Sequence, residues 1–359
     1  RIRKEVIQNA RSDTKAIGAK EIWEATMSDV ERGHAIGPFW SEDEVSAELQ
    51  CKDWICAYRF PVKQKNKIRG CDDYCRNYGN DTSARSEKLE VTSTDETVAK
   101  IKELRRLQQE AKDDEGKPSH DLKAWILDEK DAYRQIPVQP EQRKFAVIVV
   151  RHPDGGKKIG FFIMIGHSFG LISAVYNYNR RSAILNEILN KIFNVPATFY
   201  YDDKFGIETE MTIRTADACV ANLHKIAGCD YDDSKRYVGA TPTILGVTYD
   251  LVKLLLQIKD SRKEELLDLI RNIRAANRLT PGEAAKIKGK LGFAASHFWG
   301  KIGRCFMRSL SERQYSRSCR TEINEAIAIS LEEWERIIKE ITPRSVSYTH
   351  LTLPTIREV

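Results

Sequence analysis

The sequence predicts an α+β fold, a mixed strand and helix region followed by a helical bundle. Three observations point to it. From Trp54 to Ile207, short apolar strand-like runs alternate with amphipathic helical stretches, the pattern of a sheet covered by helices on one face. From Ser261 onward the chain carries helix start signals, each opening an apolar stripe. Within the first of these regions, one acidic residue ends an apolar strand and an acidic pair interrupts another.

Size and composition bound the problem. At 359 residues the chain exceeds what one core usually serves, so two or three subdomains sharing a cleft are expected. Hydrophobic residues make up 41% and charged residues 31%, and no apolar run approaches the ~18 residues of a membrane span. A net charge of +6 and a pI near 8.7 suit a polyanionic partner without requiring one. The eight cysteines are scattered, which reads as reduced thiols in an intracellular protein. Cys51, Cys56, Cys71 and Cys75 cluster, but their spacing misses the paired zinc pattern; buried free thiols account for them.

Residues 1–50 read as an N-terminal helical extension, with Ile22, Trp23, Met27 and Val30 at helical spacing and a turn at Gly37-Pro38. Residues 51–123 open with a strand over Ile55–Phe60. Lys63, Lys65, Lys67 and Arg69 follow with one-residue gaps, and on an extended segment they share one face. A solvated edge strand blunted by lysines explains that alternation equally well. A helix from Asp95 to Ala111 leads into a polar linker over 112–119.

Residues 124–256 carry the strand Ala124–Asp128, a hairpin across 144–165 around the turn Pro153–Gly156, a helix from Leu171 to Phe193, and an apolar strand from Ala197 to Ile207 interrupted by Asp202 and Asp203. Residues 257–344 are helical. Ser261 with Glu264 and Thr280-Pro281 with Glu283 form capping boxes, and the second helix carries Ile287, Leu291, Ala294 and Phe298 opposite exposed Lys286 and Lys290. A third helix runs from about Glu322 to Ile341. The run from Val346 to Thr355 bears no relation to this pattern and resembles a translated library adapter. Residues 345–359 are therefore set aside as an artefact, and the natural chain is expected to extend further.

Two adjacent carboxylates in an apolar strand, as in Tyr200-Tyr201-Asp202-Asp203, are costly to bury unless a cation neutralises them. Asp128 ends a second apolar strand. Were the two strands neighbours, three hard oxygen ligands would meet, as two Mg²⁺ ions about 3.5 to 4 Å apart require for displacement at phosphorus. An Asp pair at an ordinary hairpin turn is the plainer alternative.

With these residues in view the chain resembles a reverse transcriptase. Leu127-Asp-Glu-Lys-Asp-Ala-Tyr-Arg-Gln-Ile-Pro137 resembles the first palm motif, Ser168-Phe-Gly-Leu-Ile-Ser-Ala174 the second and Phe199-Tyr-Tyr-Asp-Asp203 the third. Lys235 and Leu245-Gly246 are similar to the later palm and primer-grip motifs, and Lys67-Ile-Arg69 to the basic finger strand. Phe-Gly-Leu gives the resemblance a retroelement flavour, closest to DIRS-like retrotransposons. Val175, Ser168 and Gly70 depart from the pattern, where Pro is usual, leaving the three acids intact.

The resemblance implies a right-hand polymerase fold, with fingers, a palm of antiparallel sheet backed by helices, and a helical thumb. It also implies RNA-directed DNA polymerase activity, within a retrotransposon polyprotein that a downstream RNase H domain continues. Asp128, Asp202 and Asp203 would hold two Mg²⁺ (Mn²⁺ a possible substitute), aided by the backbone carbonyl of Glu129. Lys67, Arg69, Asp131, Ala132, Tyr133, Phe169, Gly170 and Lys235 would contact the incoming dNTP, Tyr133 excluding a 2′-hydroxyl. Tyr200, Tyr201, Leu245, Gly246, Lys286 and Lys290 would contact the DNA primer and the RNA template. Tyr133 and Phe169 could instead be core aromatics. The rival functional readings are an RNA-directed RNA polymerase and a catalytically degenerate nucleic-acid-binding remnant.

Overall fold

The computed structural model describes residues 1–12, 18–63, 68–84, 87–110, 121–297, 302–316 and 321–346. The chain begins with α1 (Ile2–Ser12), α2 (Ala19–Glu31), β1 (Ala35–Phe39) and α3 (Glu42–Leu49), followed by β2 (Cys56–Lys63), β3 (Ile68–Asp72) and α4 (Thr94–Glu110). The central part comprises β4 (Leu122–Asp128), β5 (Val147–Arg151), β6 (Ile159–Met164), α5 (Ile172–Lys191), β7 (Ala197–Tyr200), β8 (Asp203–Thr209) and α6 (Ile213–Ile226). Four short strands follow, β9 (Tyr237–Gly239), β10 (Thr243–Ile244), β11 (Val247–Asp250) and β12 (Leu255–Ile258). The end is mostly helical: α7 (Asp260–Ala276), α8 (Pro281–His297), α9 (Arg308–Gln314), α10 (Glu325–Glu340) and the short β13 (Arg344–Ser345). Among the described residues no helix is long and apolar enough to cross a membrane.

The first sheet has the order β1-β6-β5-β2-β3, antiparallel except where β2 runs parallel to β5. Its central strands are apolar on consecutive residues, and both faces are covered. Val147, Val149, Phe161 and Ile163 pack under α1 and α3, while Ile148, Val150, Phe162 and Met164 pack under α2. Burial on both faces explains the continuous apolar run, and it corrects the expectation of a sheet covered on one face.

The second sheet, β7-β8-β4-β9, is antiparallel. Trp125 and Leu127 pack against α5 and α6, and Leu122, Ala124, Phe205 and Ile207 against α4 and a third sheet, β10-β11-β12-β13. Here too both faces are covered. The helical C-terminal unit has its own core around Ile270, Ile287, Leu291, Leu331 and Trp334.

Several local expectations change. Gly37-Pro38, expected at a turn, lies within β1, so the N-terminal stretch read as helical also supplies an edge strand. The alternating cations do not lie on one extended segment. Lys63 ends β2 and pairs with Ile68 of β3, and Arg69 lies opposite Val62; Lys65 and Lys67 fall outside the described residues. Helix α7 begins at Asp260 with no side-chain cap, so Ser261 is not its cap. The Thr280 box does form. The Thr280 amide donates to Glu283 Oε2 at 2.8 Å, and the Glu283 amide donates to Thr280 Oγ1 at 3.3 Å.

Of the clustered cysteines only Cys56 is buried, and Cys75 is exposed, so burial does not explain the group. The chain stays in the fold beyond the last helix and into the stretch set aside as an artefact: Arg344 and Ser345 pair with β12, and Val346 is buried in the core of the second and third sheets. The linker over 112–119, Phe298 and residues 347–359 lie outside the described residues.

Candidate active site

Antiparallel register brings the acids together. Strands β4 and β8 pair along their whole length, and Asp128 stands directly opposite Asp203, a position that puts Cβ atoms about 5 Å apart. Asp202 occupies the two-residue turn between β7 and β8, where Tyr201 takes a left-handed φ of 54°. The Glu129 amide donates to the Asp202 carbonyl at 3.4 Å, stitching the turn to the end of β4.

The site carries excess negative charge. Burial and the neighbouring carboxylates of Asp202 and Asp128 push the Asp203 carboxyl up to about 6. Lys235 answers part of this charge, its Nζ lying 2.6 Å from Asp128 Oδ2, and that contact raises the lysine above its ordinary value. Among the described residues no three acidic, histidine or cysteine side chains form a preassembled metal cage. The donor set is nonetheless the right kind for a hard divalent cation: oxygen-only, with the charge at Asp203 only partly relieved by Lys204 and Lys235.

Tyr133 borders the acids. It sits at the start of a short 3-10 turn whose entry is left-handed, with φ of 58° at Asp131 and 37° at Ala132. Its ring packs edge-on against Tyr178, with centroids 5.1 Å apart, and lies 5.2 Å from Phe169. Burial and the Asp202 charge push its hydroxyl up to about 12. Gly170 has φ 109°, and a Cβ there would lie 2.2 Å from the Asp72 carbonyl, so the turn after Phe169 needs glycine to dock on β3. Gly70, one of the positions where Pro was expected, leaves room for the Arg59 stem, which a Cβ would approach to 2.9 Å.

Other sequence-selected residues divide. Tyr200 and Tyr201 stack edge to face, centroids 4.9 Å apart. Leu245 and Gly246 form the β10–β11 turn and line a cavity with Phe293 of α8; Leu245 and Phe293 also line a neighbouring cavity with Tyr200, Thr94 and His297. Arg69 is exposed on β3, and Lys286 is exposed on α8. Two expectations change. Lys290 is not a free exposed cation but pairs with Glu265 at 2.5 Å. The Asp131 carboxylate is held by Arg32 at 2.5 Å, which ties this loop to α2.

Sequence reasoning assigned Glu129 only a backbone role and missed its side chain, which is fully buried beneath the acids. It accepts from Tyr178 Oη at 2.8 Å and from Arg181, and lies 3.0 Å from Lys204 Nζ and 3.4 Å from His224 Nε2. These partners outweigh burial and hold its carboxyl down to about 2. The available signal was Lys204, a lysine inside an apolar strand, which requires a buried anion.

With this geometry established, comparison with known proteins identifies the fold. No family model and no curated protein matches the chain. Solved structures do match, among them two of a foamy viral enzyme. The foamy viral protease-reverse transcriptase dRH in complex with ds DNA superposes with a TM-score of 0.62 at 13% identity, over 93% of this chain and 50% of that one. The foamy viral protease-reverse transcriptase in complex with dsDNA gives 0.60 at 14% identity, over 93% of this chain and 59% of that one. The chain thus spans little more than half the length of the structures it matches, and its fold is reverse transcriptase-like.

Proposed function

We propose that this chain is the polymerase core of a retroelement reverse transcriptase, of the DIRS-like kind, extending a DNA primer on an RNA or DNA template. The observation that carries the reading is the direct pairing of Asp128 with Asp203, with Asp202 at the adjoining turn, all three half-buried and the charges of Asp128 and Asp202 both felt at Asp203. In this reading the second sheet with α5 and α6 is the palm, the first sheet the fingers, and the C-terminal helices the thumb. A downstream RNase H domain would continue the polyprotein.

Asp128, Asp202 and Asp203, with the Glu129 carbonyl, would hold two Mg²⁺, for which Mn²⁺ could substitute. Bound there, the ions would lower the charge barrier as the primer 3′-hydroxyl attacks the α-phosphate and pyrophosphate leaves. The chain's own residues do the rest. Tyr133 presents a ring, braced by Tyr178 and Phe169, where a 2′-hydroxyl would fall. Arg69 would pack over the incoming base and the Lys67 side chain, outside the described residues, would offer its charge to the phosphates, the Asp131–Ala132 backbone and Gly170 would shape the dNTP pocket, and Lys235 keeps a positive charge at Asp128. Tyr200, Tyr201, Leu245 and Gly246 support the primer end, and Lys286 follows the duplex backbone, contacts that position without reading sequence.

Primer extension on poly(rA)/oligo(dT) with dTTP tests this. The wild type extends the primer, and Asp202→Asn loses about 10³-fold or more in rate while still binding duplex. No extension by either protein with binding intact identifies a passive nucleic-acid-binding remnant, and preferential use of ribonucleotides identifies an RNA polymerase.

A further inference from the structure

We infer that Glu129 and Tyr178 are positioning residues that set sugar selection from beneath the site, an inference that rests on the reading of Tyr133 as the sugar-excluding ring. One buried carboxylate supports two elements of the site. Through Oε2 it accepts from Tyr178 Oη at 2.8 Å, and the Tyr178 ring is the edge-on neighbour of Tyr133 at 5.1 Å. Through Oε1 it lies 3.0 Å from Lys204 Nζ, which donates to the Tyr201 carbonyl and to Ser182 Oγ, both at 2.9 Å. The Tyr201 carbonyl belongs to the left-handed turn that presents Asp202. Arg181 and His224 close the ring from α5 and α6, His224 Nδ1 donating to the Val220 carbonyl at 2.8 Å.

Burying a carboxylate with this many cations is not an efficient way to stabilise a sheet, because apolar side chains of like volume do as well or better. What the charges add is direction. An ion pair between fixed elements permits one arrangement of Tyr178 and the Tyr201 turn, where an apolar contact would allow sliding. A ring that tilts or recedes makes room for a 2′-hydroxyl, so loss of the brace shows as a change in substrate preference.

The test measures kcat/KM for dUTP and for UTP on poly(rA)/oligo(dT), a pair differing only at the 2′-position. Alongside, the affinity for each nucleotide is measured on a dideoxy-terminated primer, where no turnover occurs. Four proteins are compared: wild type, Tyr133→Ala, Tyr178→Phe, and the double variant Glu129→Leu with Lys204→Met, which removes the anion together with its most deeply buried cation, while Arg181, partly exposed, keeps Gln135 Oε1 at 3.3 Å; thermal melts establish that each variant is folded. Tyr178→Phe keeps the ring and deletes only the hydrogen bond. The expected result is a fall in dUTP preference of about fivefold for Tyr178→Phe, the scale of one hydrogen bond, and a larger fall for the double variant, in both kinetics and affinity. If Tyr133→Ala relaxes selection while the other two, folded, keep the wild-type ratio, the positioning role is overturned and the reading of Tyr133 stands. If Tyr133→Ala leaves selection unchanged, the reading of Tyr133 fails and takes the positioning role with it.

Discussion

Two carboxylates one sheet layer apart meet opposite fates. Glu129, on the covered underside of the second sheet, is ringed by Lys204, Arg181, His224 and Tyr178 and is held down to about 2. Asp203, at the open strand end beside it, is pushed up to about 6 because its nearest strong influences are burial and two more acids. The difference separates structure from chemistry. A buried charge with its full set of partners is finished, and removing it leaves those partners stranded. A charge without them is a standing electrostatic cost that a bound cation relieves, and such costs collect where a site works.

The comparison can be broken most sharply by stability. Glu129→Ala should cost about 3 to 5 kcal/mol, since Lys204 would be left buried without its anion. Asp203→Asn, which removes like-charge crowding, should leave the melting temperature unchanged or raise it. Equal destabilisation in thermal unfolding would show that the two carboxylates are not of different kinds.

A smaller effect concerns a third buried group, one with no ion-pair partner among the described residues. His297 of α8 meets Thr94 Oγ1 of α4 at 2.9 Å, and burial pushes its imidazole down to about 4. The folded state therefore refuses a proton that the unfolded chain accepts below its ordinary value of 6.5. Stability from this residue is complete above that value and is lost as pH falls toward 4, by about 2 to 3 kcal/mol. A urea-midpoint series from pH 7 to 4 should show this decline in the wild type and a flatter profile in His297→Gln; parallel profiles would remove the residue from the account.

The smallest expected effect involves no buried charge. Thr280→Ala deletes a cap on α8 and should cost about 1 kcal/mol, setting the scale of a purely local feature. If Glu129→Ala falls no further than Thr280→Ala, burial has been overrated.

What could be read in the sequence was what depends on local pattern. Asp128 stood at the end of one apolar run and the Asp202–Asp203 pair inside another, and the two prove to be neighbours, because the chain turns back at the pair and antiparallel register sets the first residue of β8 opposite the last of β4. The Thr280 box was legible for the same reason, being complete within four residues. Pattern misled where the chain turned. The alternation from Lys63 to Arg69 matched a single strand, yet Lys63 and Arg69 lie on two different, paired strands. Long-range charge pairing was invisible. The partners of Glu129 come from 49 to 95 residues downstream, Arg32 reaches Asp131 across 99, and Glu265 takes the lysine that helical spacing had offered to a duplex.

The account turns on whether the three acids hold divalent cations. Electron paramagnetic resonance titration of Mn²⁺ into the chain, assembled with a dideoxy-terminated primer, template and the matching dNTP, measures this directly. The account predicts about two tightly bound ions per chain in the wild type and a clear loss in Asp202→Asn. Equal binding by the two proteins, or none beyond that of the free nucleotide, would contradict it.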